Sequence, residues 1–99
     1  MDFLKLYIKD AIEYELKQNN IPFEREKEFS ITYKNTTLKH KFYADFVIFD
    51  KIILEIKAIE KLNDVHTSQC INYLKVSKYK LAIIANFHRE FLDHKRIVL

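Results

Sequence analysis

The chain has no glycine and no tryptophan, one cysteine (Cys70) and one proline (Pro22) in 99 residues. Without glycine there is no P-loop, no dinucleotide-binding fingerprint and no nucleophile elbow, because each needs glycine where the backbone meets a ligand or turns sharply. Tight turns must instead fall to Asn and Asp, which tolerate left-handed backbone best after glycine. A single thiol excludes an intrachain disulfide and a cysteine-built zinc site. His40, His88 and His94 lack the spacing of metal ligands, which argues further against zinc. No apolar run approaches the roughly 18 residues of a membrane span. The opening MDFLKLYIKD is too charged for a signal peptide, so the expectation is a cytoplasmic protein with no membrane contact. Positive charge is in slight excess, 17 Lys+Arg against 14 Asp+Glu. That permits contact with an anionic polymer without demanding it. Only Arg25, Arg89 and Arg96 are arginine, which favours solvated point contacts over bidentate readout.

What is present is globular. Hydrophobic residues make up 48% and charged residues 31%, enough for a core and too apolar for a disordered chain. The length sets a single domain over residues 1–99 with a thin core.

Residues 3–17 carry Leu4, Tyr7/Ile8, Ala11/Ile12 and Leu16 at three- and four-residue steps, the mark of an amphipathic helix. Asp2 is its expected N-cap, and Asn19, Asn20 and Pro22 stop it. Alternation over 26–34 predicts a strand with one wet face, and Asn35-Thr36-Thr37 a turn. Residues 38–49 predict a second strand, Asp50-Lys51 a hairpin turn, and 52–59 a third strand apolar on both faces, hence central. Asn63 or Asp64 caps a helix over about 65–77. Strands at 79–86 and 95–99 complete an α/β domain, a mixed sheet with flanking helices. The terminal strand could pair across a two-fold axis in a homo-oligomer.

Three charged residues, Asp45, Glu55 and Lys57, interrupt strands that otherwise read as core. Burying an ionisable group there is costly unless it is paired or binds a metal. Glu55 and Lys57 are two apart and share a face. Pairing about the 50/51 turn sets residue 45 opposite 56, within one residue, and so brings Asp45 beside Glu55. Two adjacent carboxylates repel unless a cation lies between them, and a hard divalent ion, Mg²⁺ or Mn²⁺, suits them, with water and a backbone carbonyl completing its shell. Lys57 could then orient an attacking water or stabilise charge on a phosphate. A structural ion pair of Lys57 with Asp45 or Glu55 is the competing reading. On the following helix Gln69 and Tyr73 are four apart and share a face. Gln69 could bond a metal-bound water or phosphate with Tyr73 behind it, or the two could be a polar residue beside a packed aromatic. His66 reads as a phosphate contact or a cap-region histidine. Cys70 reads as a small core residue, and Lys39, Lys41, Lys75, Lys78 and Lys80 as candidate phosphate contacts or solvated surface.

The run from Tyr43 to Phe87 resembles the GxxExxY family within the PD-(D/E)XK nuclease superfamily. The likeness rests on Tyr43-Ala44-Asp45, Glu55-Ile56-Lys57-Ala58, His66, Gln69, Asn72-Tyr73-Leu74-Lys75, Asn86-Phe87 and Lys95-Arg96. The resemblance implies a restriction-endonuclease-like αβββαβ core and divalent-metal-dependent hydrolysis of nucleic acid, DNA before RNA. It implies Asp45 and Glu55 as metal ligands, with the Ile56 carbonyl lending an oxygen. It implies Lys57 as the catalytic lysine, Gln69 and Tyr73 as the Q-x-x-x-Y pair, and His66 as a supporting residue. Asp2, Lys5 and Ile8 stand where the name-giving Gly, Glu and Tyr belong, so a lysine takes the place of a carboxylate on the first helix. A catalytically silent nucleic-acid- or protein-binding module on the same fold is the alternative function.

Overall fold

The computed structural model describes residues 3–88 and 90–99; the expected cap at Asp2 lies outside them. Helix α1 spans Phe3–Gln18, followed by strands β1 (Phe23–Phe29), β2 (Thr32–Tyr33), β3 (Thr36–Thr37), β4 (Phe42–Ile48) and β5 (Ile52–Lys57). Helix α2 (Asp64–Ser77) then leads into β6 (Leu81–Phe87) and β7 (Leu92–Val98). Five strands form one sheet in the order β1-β4-β5-β6-β7, with β5 and β6 parallel and the other neighbours antiparallel. The sheet is mixed because α2 supplies the crossover that a parallel β5–β6 pair requires. The expected αβββαβ order is present, with β2/β3 as a small separate hairpin and β7 added at the edge.

The helices cover opposite faces. Cys70 and Leu74 of α2 pack with Ala44, Val47, Ile53, Ala82, Ile84 and Ile97. Leu16 of α1 packs with Phe46 and Ile56, with Ile8 and Ile12 beside it. Ile53 lies under α2 while Leu54 and Ile56 lie under α1, so Glu55 and Lys57 fall by alternation on the α2 side.

Several boundaries differ from the sequence reading. The strand expected over 26–34 begins at Phe23 and ends at Phe29, and the next starts at Phe42, not 38. The intervening turn is Lys34-Asn35, both left-handed (φ 49° and 63°), which suits a two-residue hairpin. The β4–β5 turn likewise places Phe49 and Asp50 in left-handed backbone (φ 56° and 52°), one residue earlier than expected. Phe46 therefore pairs with Leu54, where the ladder ends, a register one residue off the expected 45/56 that points residue 45 toward 55. Asn and Asp do serve at such positions, but Glu26, Lys34, Phe49 and Lys78 also adopt positive φ. The third strand ends at Lys57, and the terminal strand covers 92–98, not 95–99. On α1, Leu4 and Tyr7, expected on the apolar face, are 56% and 68% exposed, while Lys9 is buried in their stead.

β1 and β4 each change face midway. In a regular strand Phe42, Ala44, Phe46 and Ile48 would line one side. Here Phe42 stacks on Tyr73 of α2 and Ala44 packs beneath that helix, whereas Phe46 and Ile48 pack on the α1 side. On β1, Phe29 stacks on Phe42 and Phe23 meets Phe46. The register skips one step, Glu26 against Asp45, between Arg25↔Phe46 and Lys27↔Ala44. Glu26 is left-handed there (φ 55°). An irregularity of this kind re-aims a side chain, and the side chain re-aimed is Asp45.

Candidate active site

Asp45 fills the fork where β4 and β5 part. Their ladder reaches Phe46↔Leu54. Beyond it the Ile56 N–H donates to Asp45 Oδ2 at 2.7 Å, so a side chain takes the bond a strand would otherwise accept. The Asp45 N–H in turn donates to Glu55 Oε1 at 3.3 Å. The two carboxylates are thus brought together, and both are buried, at 5% and 6% exposure.

Two lysines from α1 reach Asp45. Lys9 Nζ donates to Oδ1 at 3.1 Å, and Lys5 Nζ lies 3.1 Å from Oδ2. Lys9 also pairs with Glu26. Lys5 and Lys9 are four apart, so one helix face presents both ammoniums. Burial works to raise the Asp45 pKa, but the Ile56 N–H, then Lys5 and Lys9, outweigh it and hold the carboxyl below its ordinary 3.8. Glu55 behaves oppositely. Burial first, then the charge of Asp45, push it up to about 7, against the smaller pull of the Asp45 N–H, Lys5 and Lys57. Among the described residues Glu55 has no salt-bridge partner.

Lys57 ends β5 half-buried, in register with Asn86 of β6. Asn86, 1% exposed, donates from Nδ2 to the Ile59 carbonyl and accepts the Ile59 N–H at Oδ1, both at 2.9 Å. This amide clamp holds the chain leaving β5. The α2 side faces the carboxylates through Cys70 and Tyr73. Burial, then Glu55, raise the Cys70 thiol to about 11, and the same causes raise Tyr73. The Tyr73 ring stacks on Phe42 at 4.2 Å. Gln69 lies exposed on the same helix. His66 completes a capping box: Asn63 Oδ1 accepts the Val65 and His66 N–H groups, and the Asn63 N–H donates to His66 Nδ1 at 3.1 Å.

The structure therefore gathers Asp45, Glu55 and Lys57, sets Tyr73 within electrostatic reach, and leaves Gln69 in solvent and His66 in a cap. Sequence reasoning missed Lys9, Glu26 and the clamp role of Asn86. A lysine four residues after Lys5, beside the apolar Ile8, is the signal that could have marked Lys9. The oxygens that could hold a hard cation are the Asp45 and Glu55 carboxylates and the Ile56 carbonyl. Among the described residues no group of three or more His, Cys, Asp or Glu side chains assembles. Two carboxylates with water completing the shell nonetheless suit Mg²⁺, which keeps several waters.

A family model for the PD-(D/E)XK nuclease superfamily matches residues 2–97. The chain belongs to that superfamily. No curated protein matches it. Among solved structures it is similar to SSO0001, with a TM-score of 0.77 and 24% identity, over 96% of this chain and 50% of that one. It is also similar to an alkaline exonuclease (LHK-Exo) from Laribacter hongkongensis, with a TM-score of 0.52 and 10% identity, over 90% of this chain and 53% of that one. The chain spans about half the length of each. These likenesses establish a PD-(D/E)XK nuclease fold, a mixed sheet between helices. Among the described residues no helix is long and apolar enough to cross a membrane.

Proposed function

We propose that residues 1–99 form one nuclease domain of the GxxExxY kind that hydrolyses nucleic-acid phosphodiesters with Mg²⁺ or Mn²⁺, DNA in preference to RNA. One observation carries the reading. Glu55 is buried against Asp45 and has no salt-bridge partner among the described residues. A carboxylate in that setting favours its ionised form only if a cation joins it.

The donor chemistry fits. Asp45 and Glu55, with the Ile56 carbonyl, would hold the ion, all oxygens of the hard kind that Mg²⁺ and Mn²⁺ prefer. When bound, the ion would polarise the phosphoryl group and lower the pKa of water. The chain's own groups do the rest. The Ile56 N–H fixes the orientation of Asp45. Lys57, on the Glu55 side of β5, holds a proton on Nζ and directs it at the attacking water or the phosphoryl oxygens. Asn86 keeps the end of β5 in place through Ile59. Gln69, free to swing at the surface, contacts the phosphate. Tyr73 offers only its hydroxyl, because its ring is stacked. His66 supports the start of α2, and the cytoplasm is the compartment proposed.

The test is cleavage of labelled DNA and RNA oligonucleotides with Mg²⁺ or Mn²⁺, with and without chelator. DNA should be cut faster, chelator should stop cutting, and Lys57→Ala should lose on the order of a hundredfold or more. A second reading has its own observation: Lys5 and Lys9 already neutralise Asp45. It makes the chain a silent binding module. Retention of DNA with chelator present, and no product under any condition, would decide for it.

A further inference from the structure

The two ammoniums on Asp45 are not equivalent. Lys9 is almost wholly buried, and besides Asp45 it pairs with Glu26, tying α1 to β1 and β4. Its departure would take that partner from Glu26 and leave buried Asp45 with the more exposed Lys5. The Lys5 side chain is 30% exposed and lies one helical turn earlier. It rests on Oδ2, the oxygen that also accepts the Ile56 N–H. Lys5 is thus the solvent-side cover of the carboxylate, on a stem with four rotatable bonds.

Charge sharpens the difference. Among the described residues the carboxyl groups around the Asp45–Glu55 pair are Asp45, Glu55 and Glu26, and the ammoniums are Lys5, Lys9 and Lys57. With all six ionised, the state a bound ion requires of Glu55, their signs balance. A divalent ion entering alone would leave a large positive excess in a poorly hydrated place, with the Lys5 ammonium beside it. An ion arriving with a phosphate anion, while Lys5 turns outward onto that anion, halves that excess and moves the Lys5 ammonium away from the ion.

We propose that Lys5 couples nucleic-acid binding to cation entry: its ammonium covers Asp45 in the free protein and transfers to a backbone phosphate of the bound strand, opening the carboxylate pair to the ion. This rests on the cation site proposed above. It makes Lys5 a phosphodiester-recognising residue, and it makes cation affinity depend on substrate. Linkage requires the converse: the ion tightens strand binding by the same factor.

The experiment is titration of the full chain with Mn²⁺, followed by the electron paramagnetic resonance signal of free Mn²⁺, alone and with a short DNA duplex. Asp45→Asn with the duplex supplies the background from DNA. Wild type should bind Mn²⁺ weakly alone and about tenfold more tightly with duplex. Lys5→Gln and Lys5→Ala should bind Mn²⁺ about tenfold more tightly than wild type without duplex, and the duplex should then add little. Both variants should hold duplex more weakly in chelator. Two results would overturn the coupling while leaving the cation site standing. One is Mn²⁺ affinity in the Lys5 variants equal to wild type. The other is a wild-type affinity, sensitive to Asp45→Asn, that the duplex does not change. No Mn²⁺ binding above background in wild type or either Lys5 variant, with or without duplex, would end both proposals. Retention of a native circular dichroism spectrum in Lys5→Gln, which keeps a long polar side chain, separates misfolding from a true null.

Discussion

Glu26 and Asp45 stand opposite each other where β1 and β4 both change face, and Lys9 bonds to both. The buried lysine ties the helix to both irregular strands. Removing one partner of a buried ion pair leaves the other with less compensation in low dielectric; without Lys9, Asp45 would keep, among the described residues, only Lys5 and the Ile56 N–H. Lys9→Met should therefore lower unfolding stability by about 3 kcal/mol. Adding Asp45→Asn to Lys9→Met should recover part of that loss, because a buried charge is removed. Chemical denaturation of the four proteins of the cycle gives the measurement. Additive losses would show that Lys9 and Asp45 do not depend on each other.

The carboxylate pair should shape stability against pH in metal-free buffer. Glu55 folded titrates near 7 against an ordinary value of 4.5. Between those values the folded chain holds a proton that the unfolded chain has lost. The contribution is fully present below 4.5 and disappears as pH rises through 7. Asp45 is lowered below 3.8, so its contribution is present above that value and is lost as pH falls through the folded pKa. Thermal melts should peak on the acid side of neutrality and fall toward pH 8. Glu55→Gln should flatten the alkaline limb and leave the acid limb. An unchanged alkaline limb in that variant would assign the slope to other groups.

Asn86→Ala should be costly out of proportion to its size. Two hydrogen bonds to the Ile59 backbone vanish, and that N–H and C=O lose their partners. About 2 kcal/mol is expected, with faster hydrogen exchange at the Ile59 amide. Slow exchange at Ile59 in the variant would mean that the segment after β5 is held by something other than the clamp.

Lys78 offers the opposite sign. It closes α2 in left-handed backbone (φ 69°), with its N–H donating to the Leu74 carbonyl. A side chain with Cβ pays a steric cost there that glycine does not. Lys78→Gly should raise stability by about 1 kcal/mol, read from the denaturation midpoint.

Much of the fold was legible because it rests on local pattern. The helical spacing of Ile8, Ile12 and Leu16, the doubly apolar run at 52–59 and a helix cap at Asn63 or Asp64 report themselves without tertiary context. The turns misled by one residue at Phe49-Asp50 and more at Lys34-Asn35. With no glycine to mark positive φ, ordinary side chains occupy it. The 26–34 alternation ran through Phe29 into a separate hairpin, because period two looks the same in a long strand and in two short ones.

The candidate site divides in the same way. That Asp45, Glu55 and Lys57 interrupt apolar strands, and that Glu55 and Lys57 share a face, follows from residue order and the two-residue period of a strand. That Asp45 turns into the fork, accepts the Ile56 N–H and meets Lys5 and Lys9 was decided only in three dimensions. The face change at Glu26 and the docking of α1 arise from contacts between residues distant in sequence. Periodicity states which side chains align along one element; which element comes to lie against them depends on how whole surfaces pack.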